Sequence, residues 1–425
     1  MKIRKLILKD FGIFNSLELD LNEKNTVIFG VNGKGKSTVL YAICLLYSNI
    51  INSLVDRKEL RRYYGIDPLD IRNGASNTKI EIELAFSGSP NTIAYCRSSE
   101  RNKKNKTYNK LELMQIAELI RQERGEGSEP KSVPVFVNYG INRQVSSVPL
   151  RIRMHHEFDI YSTYEKVIET KIDFRTFFEW FRNQEDVENQ QKVESGDLSY
   201  RDPSLEAVRT AVLAMLPEFE SIHVVRKPRL AMQVTKSGKK YNVSQLSDGE
   251  KVLMAMLGDL ARRLAIANPE SDKPLMGEGV VLIDEIELHM HPTWQRKILS
   301  ILKNTFPNVQ FIITTHSPQV LGEVDDTYNL YELQTGDDER VCAEKIDRLD
   351  GHDVNYILEE HMQTSSRNNK VKELVSEVNR LITIKEYARA EKLLEELEQI
   401  SGGMDEEYLL ARGFLKRSRQ QNAKD

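Results

Sequence analysis

The stretch from residue 30 to residue 37 constrains the fold of this chain more than any other part of the sequence. It fits the pattern G-x-x-x-x-G-K-[ST], with Lys36 and Ser37 as its last two positions. An apolar run, 26–29, precedes it and a second one, 39–46, follows it. Glycines allow successive backbone N–H groups to point inward around phosphate oxygens, and the start of a helix favours an anion. The order of strand, glycine loop and helix therefore predicts a phosphate-binding loop in an α/β fold.

Each part of this loop has an expected role in holding ATP and Mg²⁺. Lys36 would reach the β and γ phosphates, and the Ser37 hydroxyl would hold Mg²⁺. The residues expected to contact the nucleotide are Asn32, Gly33, Lys34, Gly35, Lys36, Ser37 and Thr38.

A second apolar run, 280–283, ends in two carboxylates, Asp284 and Glu285. An uninterrupted apolar run is typical of a central parallel strand that is buried on both faces. Two adjacent buried carboxylates would be costly without a cation or hydrogen-bond partners. A metal ion resolves this cost, so we expect Asp284 to orient the Mg²⁺ shell and Glu285 to activate the attacking water.

Length, charge and cysteine content restrict the class of protein. The chain has 425 residues, enough for two to three compact units at roughly 100–200 residues each. Sixty basic and 64 acidic residues give a net charge of −4, so any contact with nucleic acid must be a local patch. Three widely spaced cysteines suit reduced thiols, and no stretch of about 20 uncharged apolar residues occurs. We expect a cytoplasmic protein without a membrane span.

Hydrophobic patterning divides the chain into four segments. We predict an N-terminal ATPase lobe over 1–149 that contains an antiparallel β-subdomain, and a helical insertion over 150–217 with an aromatic core. A second ATPase lobe follows over 218–350. The segment 351–425 is predicted to be helical and to carry apolar stripes, which either dock on the ATPase core or form a surface for another subunit.

Leu246-Ser247-Asp248-Gly249-Glu250 resembles the signature motif of ABC-type ATPases, and it lies between the two motifs above. The resemblance implies an ABC-ATPase head with a mixed or parallel sheet. It also implies that Ser247 and Gly249 bind the γ-phosphate held by a second subunit, so that the active unit is a head-to-tail homodimer. Residues 286–292 resemble the D-loop of that superfamily, and 314–318 resemble its switch loop, with His316 near the γ-phosphate.

Other positions in these motifs are less defined. His289 and His291 could form a metal pair, although their place in a D-loop favours polar contacts across the dimer. Asn142 and Gln144 are candidates for the glutamine loop of the superfamily. The adenine-stacking aromatic residue is Phe11 or Phe14 by analogy.

The start of the chain, Leu8-Lys9-Asp10-Phe11-Gly12, resembles the SMC, RecF and OLD group of ABC-type ATPases. The 109 residues after His316 contain no convincing Toprim set, so we expect any nuclease to be another chain. The runs 137–143, 287–292 and 353–358 make the chain similar to the ATPase subunits of Septu antiphage systems, which also occur with some retrons. That resemblance implies a partner HNH endonuclease, higher homo-oligomers and DNA contact through the complex.

Three functional hypotheses remain open from the sequence. The first is the regulatory ATPase of a defence nuclease complex, the second is a RecF- or SMC-like DNA repair ATPase, and the third is a nucleotide-gated scaffold with little turnover. A basic stretch, 101–106, with Arg97 nearby, is either a DNA-contacting patch or a solvated loop tip.

Overall fold

A computed structural model describes residues 1–55, 64–86, 92–100, 106–122, 131–143, 158–169, 172–336, 339–362, 364, 368–401 and 406–422. The strands of this described part are β1 (Lys2–Phe11), β2 (Phe14–Asp20), β3 (Asn25–Phe29), β4 (Asn77–Ala85), β5 (Thr92–Glu100), β6 (Lys106–Tyr108), β7 (Val135–Tyr139), β8 (Phe219–Val225), β9 (Ala231–Lys236), β10 (Lys239–Asn242), β11 (Gly279–Ile283), β12 (Val309–Thr314), β13 (Tyr328–Thr335) and β14 (Val341–Ile346). Its α-helices are α1 (Lys36–Leu54), α2 (Lys110–Gln122), α3 (Phe174–Ser195), α4 (Pro203–Met215), α5 (Asp248–Ala267), α6 (Pro292–Gln295), α7 (Ile298–Thr305), α8 (Pro318–Leu321), α9 (Val354–Tyr356), α10 (Asn369–Thr383), α11 (Tyr387–Ser401) and α12 (Glu406–Asn422).

The chain folds into two compact units, Met1–His352 and Asp353–Asp425. The first unit contains all the strands of the described residues, and the second is helical. The division of the first unit into two ATPase lobes and an insertion remains a prediction.

A six-stranded sheet in the order β14-β13-β3-β12-β11-β7 forms the centre of the first unit. Neighbouring strands from β13 to β7 are parallel, and β14 alone pairs antiparallel with β13. Every residue of β11 and β12 is buried, as the uninterrupted apolar runs predict. The expected mixed α/β sheet is confirmed, whereas the β13–β14 hairpin was not anticipated.

The N-terminal half also builds an antiparallel sheet in the order β2-β1-β4-β5-β6. Burial alternates along β4, where Ile80, Ile82 and Leu84 are buried while their neighbours are more exposed. This period of two is that of a strand with one face on the core. The antiparallel β-subdomain expected near the N-terminus is therefore present.

Two helices, α3 and α4, follow β7, the last strand in the order of the six-stranded sheet, and precede a three-stranded sheet in the order β10-β9-β8. Phe177, Phe178 and Phe181 of α3 are fully buried, as expected for an aromatic core. A side-chain carbon at Gly258 of α5 would lie 2.8 Å from the Phe177 ring. The close approach of α3 to α5 therefore requires glycine at this position.

Helix α5 is buried along nearly its whole length and carries a buried ion cluster. The Asp259 carboxylate accepts hydrogen bonds of 2.7 Å each from Arg262 and Arg263, and one of 2.9 Å from the Tyr139 hydroxyl. Burial alone would raise the pKa of Asp259, but the charges of the two arginines lower it to about 2. The cluster links α5 to Tyr139, the last residue of β7.

Helix α1 is the one helix of the described residues that is long and apolar enough to cross a membrane by length and composition. Of its most apolar 18-residue window, 67% is buried within the structure. Tyr47 of α1 stacks on Phe136 of β7 at a ring-centroid distance of 4.1 Å, so the helix packs as part of the core.

The second unit has a hydrophobic core of its own, to which α10, α11 and α12 all contribute. The buried residues of this core are Val375, Val378, Leu381, Ala390, Leu394, Leu397, Tyr408, Ala411 and Leu415. The apolar stripes of these helices therefore cover one another. Leu409, Leu410 and Phe414 of α12 remain exposed.

Candidate functional site

The residues that the sequence predicts to be functional lie at the carboxyl edge of the parallel strands. Ligands of open α/β sheets bind at this edge, where connections leave the strands. The phosphate-binding loop follows β3, Asp284 and Glu285 follow β11, and His316 follows β12. The pairing of Thr314 with Ile28 and of Ile283 with Ile313 brings the ends of these strands to one level. Three motifs that are separate in the sequence therefore meet at one edge.

The glycines of the loop have backbone conformations that other residues adopt at a cost. Gly33 has φ +81° and Gly35, which caps α1, has φ +85°. A side-chain carbon at Gly35 would also lie 2.6 Å from the Phe14 ring. Position 35 therefore requires glycine for both its conformation and its packing.

Lys36 is buried beneath the loop, and its ammonium group donates to the carbonyl oxygens of Gly30 at 2.8 Å and Val31 at 3.2 Å. Burial lowers the pKa of Lys36, while the negative charges of Glu285 and Asp284 oppose that shift. The lysine and both carboxylates therefore share one electrostatic environment, as the sequence predicts.

The remaining loop residues differ in their surroundings. Asn32 and Ser37 are exposed, and Lys34 donates a hydrogen bond to the Thr335 hydroxyl at the end of β13. The methyl group of Thr38 packs against Gly12, where a side-chain carbon would lie 2.6 Å from it. The nucleotide contacts expected of these residues remain predictions.

The Thr314 hydroxyl joins the two carboxylate residues. It donates to Asp284 Oδ1 at 2.5 Å and accepts from the backbone N–H of Glu285 at 2.8 Å. Among the described residues, Asp284 Oδ2 has no hydrogen-bond donor. A carboxylate with a free oxygen and the exposed Ser37 hydroxyl are hard oxygen ligands, and such ligands suit Mg²⁺ that is also bound by phosphates.

Glu285 has a left-handed backbone conformation, with φ +46°. Such a conformation costs a residue other than glycine about 1–3 kcal/mol and persists only where the surroundings enforce it. Here the N–H of Glu285 is bound by Thr314 and its carbonyl oxygen by Arg143. The residue proposed to activate water is therefore held on both sides.

Glu287 connects the loop after β11 with the loop after β12. Its carboxylate accepts from the Thr315 hydroxyl at 2.8 Å and from the backbone N–H of His316 at 2.5 Å. Burial lowers the pKa of the His316 side chain, as does the nearby charge of Lys36, while Glu287 opposes the shift. At neutral pH the imidazole is therefore mainly neutral and can donate or accept a hydrogen bond.

The signature segment begins α5 with a reciprocal cap. Ser247 is exposed, and its hydroxyl donates to Glu250 Oε2 at 2.6 Å, while Glu250 also pairs with Lys236 at 2.7 Å. Gly249 faces the loop after β11, where a side-chain carbon would lie 2.5 Å from the carbonyl oxygen of His289. The action of Ser247 and Gly249 in trans remains a prediction.

The two histidines after β11 do not form part of a metal cluster among the described residues, which contain no group of three or more His, Cys, Asp or Glu side chains suited to one. His291 caps α6, where its Nδ1 accepts from the backbone N–H of Thr293 at 3.3 Å. His289 has φ +66° and contributes its carbonyl oxygen to the contact with Gly249. A structural role of the loop is favoured over a metal pair.

Several weaker expectations are not supported. Phe11 and Phe14 are fully buried, so neither ring presents a face for an adenine. Arg97 is also buried, where it donates to the carbonyl oxygens of Leu45 and Tyr64, and so cannot belong to an exposed DNA-contacting patch. Asn142 is exposed. Gln144 and residues 101–105 lie outside the described part of the chain.

Sequence reasoning missed three residues that organise the site: Arg143, Glu287 and Thr314. Arg143 directly precedes the candidate Gln144, and Glu287 and Thr314 lie inside the segments predicted to be the D-loop and the switch loop. A polar residue at the end of an otherwise apolar strand was the available signal for Thr314. Nothing in the sequence indicates that Arg143 reaches the loop after β11.

Comparison with known proteins gives a family and several relatives. Residues 26–322 match the family described as "AAA domain, putative AbiEii toxin, Type IV TA system". The chain is 29% identical to the Retron Ec83 probable ATPase of Escherichia coli, over 96% of this chain and 85% of that protein. It is 24% identical to the Septu protein PtuA of Bacillus thuringiensis, over 75% of this chain and 72% of that protein.

A shorter segment, 27% of this chain, is 35% identical to 16% of the Septu protein PtuA of Bacillus mycoides (strain KBAB4). Among solved structures, an SMC head bound to the C-terminal winged-helix domain of ScpA aligns with a TM-score of 0.49 and 16% identity. That alignment covers 82% of this chain and 98% of the SMC head.

Proposed function

Because the chain belongs to the AAA domain family that its residues 26–322 match, and is related to retron ATPases and Septu PtuA, we propose that it hydrolyses ATP with Mg²⁺ in an antiphage defence complex. The observation that carries the proposal is the meeting of Lys36, Asp284, Glu285 and His316 at the carboxyl edge of one parallel sheet. Their mutual electrostatic influence on Lys36 and His316 supports this grouping.

The residues divide the chemical work between them. The loop N–H groups and the Lys36 ammonium would bind the phosphates, and Ser37 and Asp284 would hold Mg²⁺, which would supply positive charge to the phosphate oxygens. Glu285 accepts a proton from the attacking water. His316, mainly neutral at physiological pH, hydrogen-bonds to the γ-phosphate side of the site and responds to its loss.

We infer further that two copies bind ATP between them. Ser247 is exposed at the N-terminus of the 20-residue helix α5, where an N–H group and the helix dipole favour a phosphate. A phosphate held by Lys36 of one copy and capped by Ser247 of the other would make dimer geometry depend on the nucleotide. Higher homo-oligomers would be built from such dimers.

The relatives named Septu PtuA and retron probable ATPases support a role in a defence system. We propose that the protein acts in the cytoplasm with a second chain, which is a nuclease. We propose that this partner is an HNH endonuclease, that DNA is contacted through the complex, and that the nucleotide state of this subunit controls cutting. Co-expression tests this directly: DNA damage should require both chains. Damage by the partner alone would remove the controlling role.

Substitution of the proposed base tests hydrolysis. Glu285→Gln should lower the Mg²⁺-dependent turnover of ATP by about 10²–10⁴-fold, because the general base is lost. Its matched control is Glu270→Gln, since Glu270 is exposed after α5 and should leave turnover unchanged. An unchanged rate in Glu285→Gln removes the role given to this residue, and ATP binding without turnover in the wild type supports a scaffold instead.

A mixing experiment tests the composite site. Lys36→Ala chains lack the ammonium group that would bind the phosphates but keep Ser247. Ser247→Arg chains lack Ser247 but keep Lys36. If the signature acts in trans, mixing the two inactive variants should restore activity, because each heterodimer contains one complete site of its two. Ser244→Arg, three residues away and exposed, serves as the control substitution. No recovery on mixing contradicts the shared site.

A further inference from the structure

Arg143 is completely buried, although it lies in the loop that leaves β7. Strand β7 runs parallel to β11, and Tyr139 pairs with Ile283. Four residues after Tyr139 the chain therefore reaches the same sheet edge as Asp284 and Glu285.

The Arg143 side chain binds main-chain atoms of the site. Its Nη2 donates to the carbonyl oxygen of Asp284 at 2.8 Å and also to that of Glu285. Its Nη1 lies 3.8 Å from the sulfur of Met256, which belongs to α5. One guanidinium therefore contacts both the end of β11 and the helix that begins at the signature segment.

Burying a guanidinium is unfavourable unless charge and hydrogen bonds compensate, so its presence needs a reason. Burial lowers the pKa of Arg143 to about 10, and the negative charges of Glu287, Asp284 and Glu285 oppose that shift. The group therefore stays charged at neutral pH. Its Nε is buried without a partner among the described residues.

The Glu285 backbone supplies the reason. Its φ of +46° is unfavourable for a residue with a side chain, and two hydrogen bonds hold the residue there. Thr314 binds its N–H at 2.8 Å, and Arg143 binds its carbonyl oxygen. A relaxed backbone would turn the carboxylate in a different direction.

We propose that Arg143 is a positioning residue that locks Glu285 in its left-handed conformation and connects this conformation to α5 through Met256. The inference rests on the proposed function, because it assigns Arg143 to the same hydrolytic site. Arg143 acts through the main chain of Asp284 and Glu285, and no hydrogen bond joins it to the loop 30–37 among the described residues. Its loss should therefore change turnover and leave nucleotide affinity nearly intact.

Two substitutions separate the geometry of the guanidinium from its bulk. Arg143→Met keeps a long apolar side chain but removes every donor, and we expect kcat to fall about 10²-fold because misplacement of a reacting group by about 1 Å has that effect. Arg143→Lys keeps one charged donor group without the planar fork, so its kcat should lie between those of the wild type and Arg143→Met. The KM for ATP should stay within about threefold in both variants, since uniform binding is untouched.

Arg97→Met is the matched control. Arg97 lies in β5 of the antiparallel sheet and is also a buried arginine. It donates to the main-chain carbonyl oxygens of Leu45 and Tyr64. The Arg97→Met variant should lose thermal stability to an extent similar to that of Arg143→Met. Its kcat per folded molecule should equal that of the wild type. Thermal melting and the stoichiometry of binding of a fluorescent ATP analogue report the folded fraction, and Arg143→Lys decides the question if Arg143→Met does not fold.

A double-mutant cycle distinguishes positioning from general damage. In a Glu285→Gln background, Arg143→Lys should lower the remaining rate less than twofold, because residues that act as a unit are not additive. The same fold-loss in both backgrounds, or a normal kcat in folded Arg143→Lys and Arg143→Met, overturns the inference. If Glu285→Gln itself leaves the rate unchanged, the proposed function fails instead, so the two failures are distinguishable.

Discussion

The phosphate-binding half and the reacting half of this site are built in opposite ways. The first half is one continuous segment, 30–37, whose shape depends mainly on the backbone conformation of its glycines. The second half combines side chains from the loops after β11, β12 and β7, held by Thr314, Glu287 and Arg143. Both halves meet at the same sheet edge.

This difference predicts which substitutions each half of the site tolerates. Glycine conformations in the first half are local, so they need little from the rest of the fold. The strained backbone of Glu285 in the second half depends on contacts made by residues about 30 and 140 positions away. Substitutions outside the recognised motifs should therefore affect turnover more than nucleotide binding.

The largest effect that would separate the halves is expected at Lys36. Lys36→Ala should weaken ATP binding about 10–150-fold, because a hydrogen bond to a charged group contributes about 1.5–3 kcal/mol. Titration of a fluorescent ATP analogue measures this, with the exposed Lys240→Ala as control. Unchanged affinity would mean that the loop amides alone hold the phosphates.

A smaller effect is expected in the reacting half at Glu287. Glu287→Gln retains one accepting oxygen for either Thr315 or His316, so one of two hydrogen bonds is lost at a cost of about 0.5–1.5 kcal/mol. We expect kcat to fall roughly 2- to 10-fold with ATP affinity preserved. Steady-state kinetics check this, and a loss confined to affinity would contradict the division between the halves.

The smallest effect concerns the pH dependence of stability at His316. Because burial and Lys36 lower its pKa from the ordinary value of 6.5, the folded state disfavours the protonated imidazole. This contribution to stability is present above pH 6.5 and is lost as the pH falls through the lowered pKa. Urea unfolding at pH 7.5 and at pH 5.5 should therefore show a smaller loss of stability in His316→Gln than in the wild type. Equal losses of stability in the two proteins would show that protonation of His316 does not destabilise the folded state.

The fold follows the sequence patterns where a pattern is local and strong. The apolar runs at β3, β11 and β12 predict buried parallel strands, and the alternation at β4 predicts a strand of an antiparallel sheet. The hairpin of β13 and β14 was missed, because an edge strand such as β14 is only partly buried and has no strong period. The apolar stripes of the C-terminal helices were visible, but the sequence could not show that they cover one another.

The positions of the glycine loop 30–37, of the acidic strand end and of His316 after β12 could be predicted from the sequence, because each belongs to a short segment whose local structure depends on adjacent residues. The burial of Phe11 and Phe14 in the core and the contact of Arg143 with Glu285 are visible only in the folded chain. These contacts join residues that are far apart along the chain. The carbonyl partners of Arg143 depend on the pairing of β7 with β11, and no local sequence pattern indicates which strands become neighbours.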